Sequence, residues 1–240
     1  MGAKKFFTTK KIVLFSIIVA VLVFLFGLLP FSFGSIAKYE IERFGTKSFK
    51  ANLRLGQVYV SILSGTLVST SLEIDNPDGF GSGFAIKSGT VTAQANPFSL
   101  LRDVTTVNSM VVHSPLINYI KGGGTSNIEK LSANMSSSPH KDEYLNKKKF
   151  IIKELVLKNP RVIWHPPIIH TPATFSLPDI RIANIGAGGG INTSEIMTLV
   201  LERMIPPVNK ALEGEMEKIG SAGKGAIDKV KDKVKGLLNQ

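Results

Sequence analysis

VYVSILSGTLVSTSLEIDNPDGF, Val58 to Phe80, decides how the rest of the chain is read. Val58, Val60 and Ile62 alternate with Tyr59 and Ser61, and Ser64-Gly65 marks a turn. Val68, Thr70, Leu72 and Ile74 then alternate with Ser69, Ser71, Glu73 and Asp75. A period of two belongs to strands with one buried face, so this is a pair of half-buried strands joined by a short loop. Asn76-Pro77-Asp78-Gly79 closes the second strand, because Pro presets φ, Asn and Asp bond their own backbone, and Gly tolerates positive φ.

Downstream the pattern repeats. Gly79, Gly81 and Gly83 make a loop, and a third strand follows from Phe84 to Ala95, with Val91, Ala93 and Ala95 opposite Thr90, Thr92 and Gln94. Asn96-Pro97 reads as the cap and first position of a short helix through Leu101. A fourth strand runs from about Val104 to Ile120, with Ser114-Pro115 as its bend, and Gly122 to Ser126 form a flexible loop. Asn127 to Met135 reads as a short helix, and Ser136 to Asp142 as a polar connection. Phe150 to Leu157 is apolar on both faces, the mark of a strand buried on both sides. Lys158-Asn159-Pro160 turns, Arg161 to His165 continues as strand, and Thr174 to Ile185 is the last strand, with Pro178 at an edge or bulge. Gly186 to Gly190 form a hinge-like loop. A helix runs from Glu195 to about Ile205 and meets Pro206-Pro207, and Val208 to Gln240 resumes helical periodicity. Ile227, Val230, Val234, Leu237 and Leu238 share one face of that tail.

Upstream, Ser35 to Phe49 reads as an amphipathic helix with Ile36, Tyr39, Ile41 and Phe44 on one face and Gly45 as its C-cap. Ahead of it Ile12 to Leu29, IVLFSIIVAVLVFLFGLL, carries no charge. At about 1.5 Å per residue it covers roughly 27 Å, close to a ~30 Å hydrocarbon core, and Pro30 ends it. Lys4, Lys5, Lys10 and Lys11 precede it without an acid, which predicts a cytoplasmic N-terminus. Two alternatives stay open: a cleaved signal peptide with Ser35-Ile36-Ala37 near the cut, and a buried core helix. The expected layout is a cytoplasmic basic arm at 1–11, a transmembrane anchor at 12–29, a β-rich domain at 36–185 and a helical region at 193–240. The fold class is α+β, with strands preceding helices.

Composition excludes more than it assigns. Cysteine is absent, which removes thiolate metal sites and cysteine nucleophiles and suits an exported chain without disulfides. The net charge of +11 suits the surface of an anionic membrane; the topology and the lack of a basic-plus-aromatic motif argue against nucleic acid. His165 and His170 flank Pro-Pro-Ile-Ile but lack a third metal ligand. There is no Gly-x-Ser-x-Gly elbow. The glycines at 186 and 188–190 lack the third glycine and the β-α-β context of a dinucleotide loop. Asn134 and Asn192 head formal glycosylation sequons. No catalytic constellation, metal site or cofactor is expected.

One resemblance covers most of the chain after the anchor. Phe44-Gly45-Thr46, the strand from Ala51, Ser61 to Gly65, Asp75-Asn76-Pro77-Asp78-Gly79-Phe80, Asn96 to Leu101, Ser114 to Ile117, Gly124 to Ile128 and Leu177 to Gly186 occur in an order that resembles the AsmA family of bacterial envelope proteins. The resemblance implies a single-pass inner-membrane protein with its bulk in the periplasm. It also implies a curved, mostly antiparallel β-sheet forming an apolar groove, and a part in moving phospholipid or assembling the outer membrane. This chain is far shorter than the large members: a strand of ~10 residues spans about 33 Å, so it does not bridge an envelope alone. The residues expected to line the groove are Val58, Val60, Val68, Leu72, Ile74, Ile151 and Leu155. The competing reading is a non-enzymatic scaffold that binds envelope proteins through a sheet edge or the C-terminal helices.

Overall fold

The computed structural model describes residues 33–137, 148–165 and 172–238, with side chains to residue 217. The expected arm and anchor, His170 and the side chains of the apolar tail face Ile227 to Leu238 lie outside the described residues. Among the described residues no helix is long and apolar enough to cross a membrane.

Helix α1 (33–49) leads into strands β1 (Leu53–Leu55), β2 (Val58–Ser61), β3 (Thr66–Ser69), β4 (Leu72–Asp75), β5 (Phe84–Ser88) and β6 (Val91–Ala95). A 3-10 turn (Pro97–Ser99) leads to β7 (Val104–His113), β8 (Leu116–Tyr119), a small hairpin of β9 (Lys121–Gly122) and β10 (Thr125–Ser126), and helix α2 (Asn127–Ser136). Then come β11 (Lys149–Lys158), β12 (Arg161–Trp164), β13 (Ala173–Ser176), β14 (Ile180–Ile185) and helix α3 (Thr193–Leu238). The arrangement is α+β, with two six-stranded mixed sheets.

The two sheets are halves of the same long strands. One is ordered β1-β4-β5-β8-β12-β13 and the other β2-β3-β6-β7-β11-β14, so each long strand contributes one segment to each. The runs that read as continuous, Phe84–Ala95 among them, are each bent once, along a shared crease. The crossings are Gly56-Gln57, Thr70-Ser71, Gly89-Thr90, His113-Ser114, Lys158-Asn159 and Pro178-Asp179. Each separates two inward positions by two residues instead of one: Leu55 and Val58, Ser69 and Leu72, Ser88 and Val91, Val112 and Pro115, Leu157 and Pro160, Leu177 and Ile180. The extra residue turns the corner while keeping the same side of the chain inward on both arms, which is how strands pass between sheets. Backbone pairing continues through it. Gly56 N–H donates to Ser71 O (3.0 Å), Gly89 N–H to His113 O (2.9 Å), Ser114 N–H to Lys158 O (2.8 Å) and Arg161 N–H to Pro115 O (2.8 Å). Ser114 (φ 49°) and Asn159 (φ 52°) take left-handed conformations there, and Asp179 Oδ1 accepts from Asn159 N–H at 2.8 Å.

The sheets are not wholly antiparallel. β7 pairs with β11, and β8 with β12, in parallel. The connection between β8 and β11 explains this: β8 ends at the far end of one arm, and the chain goes on through β9, β10 and α2, part of the long crossover that parallel neighbours need.

The core fills the concave side of the crease. One row across the first sheet is Leu53, Ile74, Ile86, Ile117, Val162 and Phe175. All but Phe175, which packs against the core, are buried. Ile128, Leu131 and Met135 of α2, and Ile196, Leu201, Met204, Val208 and Leu212 of α3, join the same cluster. α3 continues through Pro206 and Pro207, where two helices were expected. Each proline lacks an N–H for the helix, but buried Leu201 and Met204 before them and Val208 and Leu212 after them hold both halves on the sheets.

α2 is positioned by its N-terminus. Ser126 Oγ accepts from Glu129 N–H, and Glu129 Oε2 accepts from Ser126 N–H at 2.7 Å, a capping box. Burial of Glu129 raises its pKa, but the backbone N–H and hydroxyl of Ser126 and the Thr125 hydroxyl outweigh this and hold it below the ordinary carboxylate value. Asn127 is fully buried and saturated. Its Nδ2 donates to Asn118 O (2.6 Å) and Asn76 Oδ1 (2.9 Å), and its Oδ1 accepts from Ile120 N–H (3.1 Å) and Ile128 N–H (3.0 Å). Asn134 Nδ2 donates to Phe49 O at 2.8 Å, tying α2 to the end of α1. Asn134 of the first sequon is therefore buried and engaged.

Candidate functional site

α1 acts on the edge of the folded sheet. β1 and β2 are edge strands, whose outward backbone groups need partners. Leu53 N–H donates to Thr46 Oγ1 (3.0 Å) and Leu55 N–H to Glu42 Oε1 (2.7 Å). Residues four apart on a helix thus match residues two apart on a strand. Gly45 is not the C-cap. It lies inside α1 where the helix touches β1, and a Cβ there would sit 2.5 Å from Leu53 Cδ1. The helix runs on to Phe49, and Lys50 (φ 52°) takes the left-handed terminal position. Gly34 makes the same contact further along: a Cβ would sit 2.1 Å from Val58 O. The expected apolar face of α1 is divided, with Phe44 buried and Ile36 and Tyr39 exposed.

Where α1 meets β2 there is a cleft of about 600 Å³. It wraps the β2 edge between Gly34, Ser35 and Lys38 of α1, residues 56–61, and Thr66 and Val68 of β3. Tyr59 and Val68 face each other across the strands on one side. Val60 and Leu67 belong to the other, in the row Val60, Leu67, Ala93, Met110, Leu155 and Ile182. That row explains why apolar surface is left open. Leu155 and Ile182 are buried in the core, and Ala93 and Met110 pack against it, whereas Val60 and Leu67 are half-buried and outside it. The core thins toward β2, and the apolar row continues past it. Tyr59 Oη donates to Gln57 Oε1 at 2.6 Å, which satisfies its hydroxyl within the cleft.

The expected groove residues therefore separate. Val58, Val60 and Val68 come together in this cleft. Ile74 and Leu155 are core residues, 5% and 2% exposed. Leu72 is half-buried beside the crease and packs on the core, and Ile151 is half-buried on β11, away from β2. The concave trough that was expected to hold a ligand is occupied by α2 and α3. Sequence reasoning missed Gly34, Ser35, Lys38 and Tyr59. Gly34 was the available signal, since a residue without a Cβ permits close backbone approach.

A second, polar cavity of about 630 Å³ lies on the outer face of the first sheet. Arg54, Glu73 and Lys87 are directly opposite one another there. Arg54 bonds Glu73 at 2.6 Å and also bonds Asp75, Lys87 reaches Glu73 at 2.9 Å, and Asn52 Nδ2 donates to Asp75 at 3.0 Å. Lys87 also sits 4.4 Å from the Phe84 ring centre. Hydrogen bonds from Lys87 and then Arg54 lower the pKa of Glu73, and the bond from Arg54 lowers that of Asp75. These are paired charges on a solvated face, and cross-strand pairing accounts for them. Both carboxylates titrate lower when folded, so their contribution is present above their ordinary values of 4.5 and 3.8 and is lost as pH falls through the depressed ones. Arg54→Ala should therefore flatten the acid limb of a stability–pH profile below about pH 4 while changing neutral stability by about 1 kcal/mol or less. An unchanged acid limb would show that the network contributes nothing.

His165 is exposed, with its Nε2 2.8 Å from Asn118 Oδ1. Among the described residues no three His, Cys, Asp or Glu side chains are grouped to hold a metal. No protein-family model matches this chain, and no curated protein or solved structure matches it either.

Proposed function

We propose that this is a membrane-anchored, non-enzymatic, periplasmic protein of bacterial envelope biogenesis. In this reading the cleft at the α1–β2 edge binds an acyl chain of phospholipid, for storage or transfer. One observation carries the proposal: an apolar cleft of about 600 Å³ that the core leaves open, lined by Val58, Val60 and Val68, beside Gly34, Ser35 and Lys38 of the helix that follows the apolar segment Ile12–Leu29. Its size falls in the roughly 300–1,000 Å³ range of small-ligand sites. An acyl chain needs only water-excluded surface there, at about 0.8 kcal/mol per buried methylene. The order of motifs that resembles the AsmA family points the same way. The groove differs from the expected one in place, at the edge of a folded sheet instead of in its trough.

The test is photocrosslinking of the full-length protein with a phospholipid carrying a diazirine in its acyl chain, followed by peptide mapping. Label within residues 56–68, lost in Val60→Asp, is the expected result. Val60 is half-buried, so the variant should lose only about 1 kcal/mol of stability and stay folded. Label confined to residues 12–29, or label in the cleft that Val60→Asp leaves intact, would sink the reading.

The scaffold alternative, including an assembly factor for outer-membrane proteins, has its own observation. β13 and β14 end the two sheets opposite β1 and β2, and among the described residues no further strand pairs with them. Backbone on such an edge is a template for an added strand. Crosslinks from Thr174 or Arg181 to another envelope protein, without acyl label in the cleft, would favour it.

A further inference from the structure

The far end of the second sheet carries an unusual set of side chains. Leu63 is 77% exposed, Phe98 81% and Leu101 92%, and Ile62 beside them is exposed too. They sit on two loops, the β2–β3 turn and the 3-10 turn after β6, which are bound to each other. Ala95 N–H donates to Gly65 O at 2.7 Å, and Gln94 Nε2 to Ser64 O at 2.5 Å. The second loop is also fixed from behind. Asn96 Oδ1 accepts from Phe98 N–H at 3.0 Å, and Lys148 Nζ donates to Leu100 O at 3.2 Å and to Arg102 O. Large apolar side chains held outward on braced loops, where the protein could have placed polar ones, mark a surface that meets something apolar.

The direction of α1 says what. Thr46 bonds Leu53, Glu42 bonds Leu55, and Gly34 abuts Val58. Read backward, α1 therefore advances along β1 and β2 toward the turn that bears Ile62 and Leu63. The chain enters the domain from this end, and only three residues separate Leu29 of the apolar segment from the first described residue, 33. We infer that Leu63, Phe98 and Leu101 insert into the outer leaflet-facing surface of the same bilayer that the Ile12–Leu29 segment crosses. They hold the domain upright on the membrane, with the cleft mouth at headgroup level. Arg102 and Lys149 flank the tip and suit anionic headgroups. Val60, Ile62 and Leu63 then form a continuous apolar path from bilayer to cleft. The inference deepens the proposed reading and rests on it for that path and for the anchored bilayer, while the docking is argued from the tip and from the direction of α1.

The chain has no cysteine, so single labels can be placed cleanly. Leu63→Cys, Phe98→Cys and Leu101→Cys, each carrying a nitroxide, would be examined by power-saturation EPR in the full-length protein. The membrane would be nanodiscs of equal parts phosphatidylcholine and phosphatidylglycerol. Gly123→Cys, on the turn of the separate β9–β10 hairpin that follows β8, is the reference. The expected result is loss of collisions with a water-soluble nickel chelate and gain of collisions with oxygen at 63, 98 and 101, relative to 123. Chelate accessibility equal to that at 123 would overturn the docking. So would protection that occurs in cell membranes and vanishes in nanodiscs, which would assign the tip to a protein partner. Insertion without acyl crosslinks at 56–68 keeps the docking and removes the cleft; crosslinks without insertion do the reverse.

Discussion

Leu155→Asp should abolish folding. Leu155 is 2% exposed, on a central strand between β7 and β14, and faces Met110 and Ile182 on its two neighbours. Among the described side chains its surroundings in that row are apolar, so a carboxylate there has no cation to pair with. An unpaired buried charge costs roughly 4–5 kcal/mol or more, a large part of a domain's total stability of about 5–15 kcal/mol. The measurement is a denaturant titration of the full-length protein beside Val60→Asp, which lies in the same cross-sheet row. Leu155→Asp should show no cooperative transition, and Val60→Asp should keep a nearly wild-type midpoint. If both variants unfold, the core extends to β2 and the cleft is not an open site. If both fold, the trough is looser than the packing of α2 and α3 implies.

Asn127→Leu is the second large effect. Leucine keeps the bulk but removes both halves of the amide. The Asn118 carbonyl, the Ile120 N–H and the Asn76 side chain lose their partner inside the protein. Each orphaned buried group costs about 1–3 kcal/mol, so the sum is roughly 3–5 kcal/mol. Asn127→Asp should be as damaging, because its carboxylate would meet the Asn118 carbonyl oxygen where the amide donates. A chemical-denaturation midpoint unchanged in Asn127→Leu would mean that water replaces the amide. The residue also explains why distant pieces of sequence belong together. One side chain joins the Asn76-Pro77-Asp78-Gly79 turn, the end of β8 and the start of α2.

Much of the fold was legible because it rests on local rules. Period two located nearly every long strand, Asn96-Pro97 announced its turn, and Asn127 began a helix as expected. Some of the crease points were less visible than the others. Ser114-Pro115, Asn159-Pro160 and Pro178 break the pattern by chemistry. Thr70-Ser71 and Gly89-Thr90 do not, since one misplaced polar residue within an alternating run looks like noise until the neighbouring strands are aligned. The two-helix reading of the C-terminal region failed for a different reason. Proline's local preference lost to the burial of Met204 and Val208 on either side.

The candidate site was legible only in part. Val58, Val60 and Val68 alternate as Ile74 and Leu155 do, and alternation reports which face is apolar, not whether a helix covers it. Coverage is a property of the assembled molecule. The tip was hidden similarly. Phe98 and Leu101 read as part of a short helix, which says nothing of their exposure; the loop turns them outward.

The crease has a bearing on alignment error. Alternating sequence guards against a strand slipping by one residue, because that would turn every apolar side chain to water. It gives no protection against a slip of two, which leaves each face unchanged. Here a slip of two would carry one strand's corner away from those of its neighbours, leaving Asn159 or Ser114 bent where the adjoining strand is straight. The six corners work like the teeth of a comb, and only one setting lets them mesh. A chain whose strands are short, repetitive and rich in Val, Ser and Thr thereby specifies a single alignment that its hydrophobic pattern alone would leave degenerate.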